Sequence, residues 1–566
     1  MKIVINNTKN IMKKYKKIIL IGLFLSMPLI SKNFILGHDS LYHLSNIESM
    51  IYALKKLNLT EISPLIANGF GYGGTIFYPK LPHFILAVIS IIILPFNLSS
   101  KTAISIGNIL IIILSSIAMC KLLYLLFNNK KVMLIGSCIY ITMPYFISDI
   151  FVRSALNETC IYLFMPLVLI GLIYLSKGER KKFYIYFILG YIGMLGSHLV
   201  MSVYFTFLMF VYIIANLKKY LNKENFKHLF FSSMIILIIF LPKAILLIQH
   251  KNLNIYGVFD ANLMGSTVEN VKNFSITLKS VLIPDIYSGG INYFINIFVI
   301  VISIFAIIFL LFKEKQKDTK QNLNGIVIIL CISIFLSTKF FPYQYIPDLF
   351  LSIQFAFRNH IFTCFTMSII FSYGMSILYQ YKSNIIKIIP YVTMISSILC
   401  AVLIINNAPY TKNVSYDTIA GMGLQKEYLT KQALKNIEYI KNRQQGIKII
   451  SKNTKAKVKV IKDDVPYLKF TIAGLKEKER LELELPRLYY LGYEIILTSK
   501  EKEQTIKYEN NKNGFIKIIV PENGTVEIKY TGTAIYQIFS WVRNIAILII
   551  ILVCFKLKRN NRIKSL

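Results

Sequence analysis

Paired cysteines are missing from this sequence. Its seven cysteines, from Cys120 to Cys554, all lie within or beside apolar runs and form no CxxC pair, so neither a disulfide framework nor a zinc site is implied. Acidic residues are scarce, at 28 Asp and Glu against 64 Lys and Arg, which leaves a formal net charge of +36. Such an excess marks a nucleic-acid binder when it gathers on one folded surface, but here nearly all of it lies in short hydrophilic turns between apolar runs. There it reads as a topology signal, and nucleic acid is not an expected partner. The abundance of Ile and Asn suggests that part of the lysine excess is compositional bias. Charge is almost absent inside the apolar runs, with Lys243 in "FLPKAILL" the main exception, so a proton or ion relay through a bilayer has no support. No small-x-small cleavage site follows the basic head and apolar body of "MKIVINNTKNIMKKYKKIILIGLFLSMPLI", which therefore reads as an uncleaved first span. No fixed-period repeat is evident.

What is present is apolar length. Of 566 residues 55% are hydrophobic, and the mean hydropathy is +0.55, the composition of a membrane protein. Runs near the roughly 20 residues needed to cross a bilayer core fall at about 18–36, 103–127, 131–149, 154–176, 182–198, 199–216, 228–248, 292–313, 324–340, 359–380, 386–405 and 535–557. Twelve crossings place every basic turn on one side: the N-terminal lysines, "NNKK", "KGERKK", "KKYLNKENFK", "KEKQKDTK", "YKSNIIK" and the tail "KLKRNNRIK". The positive-inside rule makes that side cytoplasmic, with both termini inside. A further run, "LPHFILAVISIIILPFNL" at 81–98, would break this parity as a thirteenth crossing, and Pro82 and Pro95 suit a short re-entrant or surface-lying element.

The expected architecture is mainly α: a polytopic bundle of about 12–13 spans over 1–405, with a first extracytoplasmic loop at 37–102. Residues 406–534 form an extracytoplasmic domain, and 535–566 hold a last span with a basic tail. Within 406–534, "AKVKVIK", "YLKFTI", "RLELELP", "YEIILTS", "FIKIIV" and "TVEIKY" alternate with period two between turn signals, which predicts a small antiparallel β-sandwich.

Polar candidates gather at the outer ends of the spans. They are His38, Asp39 and His43; Tyr78 and Lys80; Asp149, Arg153 and Glu158; His198; and Gln354, Arg358 and His360. Asp39 and His43 are four apart and would share a helix face, with Leu44, Ile47, Ile51 and Leu54 as the apolar stripe of a helix lying on the membrane surface. A carboxylate there could deprotonate a hydroxyl acceptor or hold a divalent cation, Mg or Mn. Arg153 and Arg358 could grip a phosphate with planar forks, and Lys80 would act as a point charge. A plainer reading stands beside each: Asp39 caps the helix that follows, the arginines anchor span ends at the interface, His198 and His360 are structural, and Glu158 complements a helix dipole.

The strings "GHDSLYHLSNIESMIYALKKLNL", "NGFGYGGTIFYPKLPHFI", "PYFISDIFVRSALNE", "LGSHLVMSVYF" and "SIQFAFRNHIF", with "LPRLYYLGYEI" near 485–495, occur in that order. As a set they resemble the bacterial membrane proteins labelled pyruvoyl-tetrahydropterin-synthase-related, grouped with the GT-C glycosyltransferases and similar to membrane proteins that glycosylate lipoteichoic acid. No pterin chemistry is implied by that label. Members more often carry Pro-Trp where this chain has Ala356-Phe357. The resemblance implies a polyprenyl-phosphate-linked sugar as donor, a cell-envelope glycan or lipid as acceptor, and an essential acid after the first span, the place of Asp39. It also implies His43 as the neighbour of that acid, and Arg153 and Arg358 as phosphate contacts. The remaining candidates, His38, Tyr78, Lys80, Glu158 and His198, would line the substrate site. The expected activity is transfer of a sugar on the outer face; alternatives are a multi-span lipid or polysaccharide transporter or flippase, and a non-catalytic glycan-binding protein.

Overall fold

A computed structural model describes residues 2–31, 34–93, 95, 99–285, 289–381, 383–411, 426–452 and 454–563. The chain is mainly helical, with β-structure towards its C-terminus. A helix occupies each of the twelve predicted span positions. These are α1 (Lys2–Ser31), α4 (Ser100–Phe127), the pair α5 (Lys130–Thr142) and α6 (Pro144–Phe151), α7 (Leu156–Ser176), α8 (Arg180–Ser197), α9 (Leu199–Ala215), α10 (Lys223–Leu253), α11 (Ile297–Phe312), α12 (Lys317–Leu336), α13 (His360–Leu378), α14 (Asn384–Asn406) and α15 (Ala534–Ile563). Between α1 and α4 lie α2 (Ser40–Lys55) and α3 (Leu81–Ile93).

Among the described residues, six helical stretches are long and apolar enough to cross a membrane: Ser100–Phe127, Leu156–Ser176, Lys223–Leu253, Lys317–Leu336, Ala356–Leu378 and Ile386–Asn406. The pair α5 and α6 makes a seventh when taken as one bent span. The bend, 49°, falls at Met143, because the ring of Pro144 disfavours helical backbone at the residue before it, and Met143 is extended at φ −56° and ψ 126°. The 81–98 run forms α3, only 13 residues long and thus shorter than a crossing; residues 94 and 96–98 lie outside the described residues.

Two compact units divide the chain: residues 1–43, 79–232 and 265–413 form one, and 44–78, 233–264 and 414–566 the other. In the first, α7 packs on α8 and α4, α4 packs on α1 and α5, and α13 packs on α11 and α12. The stretches Leu156–Ser176 and Ala356–Leu378 are the most buried of the six long apolar helices, so they form the centre of this unit. Behind α1 the chain makes a two-residue strand, β1 (Phe34–Ile35), which pairs antiparallel with β2 (Tyr410–Thr411) directly after α14. The N–H of Leu36 continues this ladder to the Pro409 carbonyl at 2.7 Å.

The second unit carries two antiparallel sheets. One has the order β3-β6-β10-β9, from β3 (Lys448–Ile449), β6 (Leu481–Leu488), β9 (Tyr508–Asn510) and β10 (Phe515–Val520). The other has the order β4-β5-β11-β7-β8, from β4 (Lys457–Asp464), β5 (Tyr467–Ala473), β7 (Tyr493–Ser499), β8 (Lys502–Thr505) and β11 (Gly524–Tyr530). Alternation sorts the faces as read from the sequence: Leu468, Phe470, Ile472, Ile495, Leu497, Val526 and Ile528 are buried, while Lys469, Thr471, Glu494 and Glu527 are not.

One local expectation fails. The helix predicted to lie half-exposed along a surface is α2, yet residues 42–47 are buried all the way round, including Ser45 and Asn46 as well as Leu44 and Ile47. A stripe of apolar residues identifies one face to be covered but says nothing of the opposite face, and small serines allow that face to be packed as well.

Candidate functional site

Asp39 is the last residue before α2, in the loop that leaves β1. Two constraints hold it. Its N–H donates to the Arg153 carbonyl at 2.9 Å, and its own carbonyl accepts from the His43 N–H at 3.1 Å at the start of α2. Gly37 lets this loop lie against residues 152–154: a Cβ there would stand 2.5 Å from the Val152 oxygen and 2.6 Å from the Ser154 hydroxyl. Ser40 closes the turn by donating its hydroxyl to the Ile35 carbonyl at 2.8 Å.

The segment facing the loop owes its shape to two irregularities. Pro144 starts α6 on a new axis, and Ser154 adopts a left-handed conformation with φ 53°, so the backbone reverses between Phe151 and Leu156. This reversal places Arg153 between two acids. Its Nη1 donates to Asp149 at 2.6 Å and to Glu158 at 2.9 Å, and its Nη2 donates to the second Glu158 oxygen at 2.9 Å. The Tyr145 hydroxyl donates to Glu158 at 3.0 Å and receives from Arg153 at 3.2 Å. Glu158 stands in the first turn of α7, where the helix dipole favours an anion.

Arg358 joins from the turn before α13. Its Nε lies 3.3 Å from Glu158, and its Nη1 donates to Gln354 at 2.8 Å and to the Ile353 carbonyl at 3.0 Å. Phe355 and Phe357, stacked 5.3 Å apart, support the two cations: Arg358 lies over Phe355 and Arg153 over Phe357. The guanidinium groups differ in access, since the Arg153 side chain is 5% exposed and that of Arg358 13%.

Three carboxylates, Asp39, Asp149 and Glu158, thus meet two guanidinium groups. Asp149 and Glu158 share Arg153, and Asp39 is left over. Among the described residues the Asp39 carboxylate makes no side-chain hydrogen bond, and it is partly open to solvent. Burial of its surroundings pushes it above the usual carboxylate range, against the opposing pull of Arg153 and Arg358. A small recess of about 10 Å³, room for about one water, is lined by Ser40, His43, Ser105, Asn108 and Ser154, with Phe34, Ile104 and Leu156 among its apolar walls; Asp39 precedes Ser40 in the chain and is not among the lining residues. No family model matches the chain, and no curated protein matches it.

The predicted residues therefore divide. His38 is exposed beside Asp39 in its turn, while buried His198, Glu158 and Arg153 interact with the partly exposed Arg358. His198 also caps α9, its Nδ1 accepting from the Met201 N–H at 3.3 Å, as the plainer reading expected. His360 packs edge-on to Tyr145 and is buried. His43 was expected to share a face with Asp39, yet its imidazole is buried and commits Nδ1 to Nε2 of His83 at 2.8 Å. Being the fourth residue of α2, it is carried away from a carboxylate that lies outside the helix. Burial and the charge of His198 hold His43 down to about 3. Arg153, expected to contact a substrate phosphate, donates from Nη1 and Nη2 to Asp149, Glu158 and Tyr145. Lys80 is half-buried in the same unit, whereas Tyr78 belongs to the other unit.

Sequence reasoning missed Tyr145, His83 and the Phe355/Phe357 pair. Only proximity in space marks them, because an aromatic or a histidine in an apolar helix has no periodic signature. Among the described residues no three His, Cys, Asp or Glu side chains group to hold a metal, so a cation at Asp39 would take its other ligands from water and substrate phosphate.

Proposed function

We propose that the protein is a membrane glycosyltransferase that moves a sugar from a polyprenyl-phosphate donor to a cell-envelope acceptor on the extracytoplasmic face. In this reading the long apolar helices sit in the bilayer with both termini cytoplasmic, as a GT-C-like bundle, and the two sheets are the faces of an extracytoplasmic sandwich. The observation that carries the proposal is Asp39 itself, an acid clamped by its backbone, without a side-chain hydrogen bond among the described residues and set beside the charges of Arg153 and Arg358.

The chemistry is a single displacement. The Asp39 carboxylate takes the acceptor hydroxyl proton as the hydroxyl oxygen forms its bond to the anomeric carbon. The bond from that carbon to the phosphate oxygen breaks, and the phosphate leaves with the electron pair, inverting the centre. Arg358, the more accessible guanidinium, stabilises the departing phosphate. Arg153 acts through others: it neutralises Asp149 and Glu158, and its carbonyl holds the Asp39 loop. The deciding experiment incubates purified protein with a radiolabelled polyprenyl-phosphate sugar and envelope acceptor. New label in a glycosidic linkage that survives the mild acid cleaving the donor's sugar-phosphate bond supports transfer, whereas transport or binding alone makes no such bond.

A further inference from the structure

The edge strand β4 carries lysines that nothing in the sheet neutralises. On strands inside the two sheets three partly exposed lysines meet acids: Lys469 with Glu527 at 3.0 Å, Lys529 with Glu494 at 3.1 Å and Lys517 with Glu482 at 2.9 Å. Lys457, Lys459 and Lys462 are exposed, and among the described residues none of them forms an ion pair; Lys462 only overhangs the Tyr467 ring at 5.2 Å.

Strict alternation would place Lys462 on the face opposite Lys457 and Lys459. The register shows otherwise. Lys457 faces Ala473, Lys459 faces Thr471 and Lys462 faces Lys469, with a shift between Val460 and Lys462. The partner residues are alternate positions of β5, so the bulge at Ile461 returns Lys462 to the face of the other two lysines. The same bulge leaves Ile461 56% exposed, next to Val460 at 41%. Lysines and a bulge on a sheet edge resist pairing with another strand, so the partner to look for is not a strand; the exposed Ile461 and Val460 leave apolar surface beside the cations.

The position of the row along the sheet identifies that partner. Strands β4 and β11 run parallel, each antiparallel to β5, and lie two strand spacings apart, about 10 Å. Lys469 of β5 aligns Lys462 with Glu527, three residues before β11 ends at Tyr530. Apolar α15 starts at Ala534, presenting Ile535, Ile538 and Trp541 outward. The Lys462 end of β4 is therefore the end from which the chain enters α15. The acids that close the strand do not oppose the lysines, because Asp463 pairs with Arg487 and Asp464 with Lys56 and Tyr52.

We propose that β4 docks on the bilayer surface, its three lysines on anionic phospholipid headgroups and Ile461 in the headgroup boundary. This rests on α15 being a membrane helix and is independent of any transfer activity. A soluble polyanion would engage the lysines but gives no role to the exposed Ile461.

The test compares amide hydrogen exchange of the full chain in nanodiscs of phosphatidylcholine with that in discs containing phosphatidylglycerol. Exchange across 457–462 is expected to slow in the anionic discs and to recover on adding salt. Each Lys→Gln change at 457, 459 or 462 is expected to weaken the preference roughly fivefold. Unchanged exchange at Leu468 and Phe470 verifies that the sheet stays folded in these variants. Equal exchange in both discs overturns the proposal. So does equal protection by soluble polyphosphate in zwitterionic discs, which would assign the row to a soluble polyanion. Either outcome leaves the transfer reaction untouched, so failure here is distinct from failure of the glycosyltransferase reading.

Discussion

The N–H of Asp39 and the carbonyl of Arg153 are joined at 2.9 Å, and this one bond links the loop that carries the unpaired acid to the turn that carries the buried cation. The backbone of one residue thus positions a carboxylate that its guanidinium does not neutralise.

Asp39→Asn keeps the shape of that loop and removes the proposed base. Transfer is expected to fall by two to four orders of magnitude, the usual worth of general-base catalysis being about 10²–10⁴, while membrane insertion and melting temperature stay near those of the parent. In the parent, kcat/KM should rise with pH as Asp39 ionises, with a midpoint above the ordinary 3.8 because burial raises it. Steady-state kinetics across pH check both; full activity of the variant removes Asp39 from the mechanism.

Arg153→Met strands Asp149 and Glu158 without their shared partner. Breaking a buried pair of this kind costs about 3 to 5 kcal/mol, so a pronounced drop in melting temperature in detergent is expected. A double variant that also neutralises both acids, Asp149→Asn with Glu158→Gln, should recover much of it when added to Arg153→Met.

Arg358→Met should act on turnover more than on folding. Losing a charged hydrogen bond to the phosphate costs about 1.5 to 3 kcal/mol, roughly ten- to a hundredfold in kcat/KM for the donor. An unchanged value for donor alongside a large stability loss would recast Arg358 as structural.

His43 makes stability depend on pH in a defined direction. Its imidazole is held down to about 3 in the folded state against an ordinary 6.5, so between these values the unfolded chain binds a proton that the folded chain refuses. Stability is complete above pH 6.5 and is lost as pH falls toward 3, by at most about 1.4 kcal/mol per pH unit from this group. Melting curves from pH 7 to pH 5 should show a steeper decline for the parent than for His43→Gln.

Gly37→Ala forces a contact of 2.5 Å with the Val152 oxygen to relax. A displacement of about 1 Å at the acid can cost about 10²-fold in rate, and that loss should appear in kcat with little change in the far-ultraviolet dichroism.

Much of the architecture was legible because apolar length and period are local properties. Each predicted span coincides with a helix, and "YLKFTI" and "TVEIKY" became adjacent strands with their predicted faces. Asp39 was legible from its place after the first apolar run. Its surroundings were not. Arg153 looks like an interface anchor until the left-handed turn at Ser154 swings it between Asp149 and Glu158. On paper the last lysine of "AKVKVIK" falls out of alternation with the other two, and only the strand register reveals the bulge that realigns Lys462. His43 and His83 meet through the packing of two helices whose contact no spacing encodes.

The short ladder between Phe34–Ile35 and Tyr410–Thr411 has a consequence for biogenesis. A nascent chain emerges with its acid-bearing loop long before the segment that pins the loop has been translated. Until Pro409 arrives to accept from Leu36, that edge of the loop lacks its mate, so this corner of the protein is assembled late. Ribosome-stalled chains ending before residue 409 should therefore expose the 34–39 stretch to protease, and chains extended past 411 should shield it.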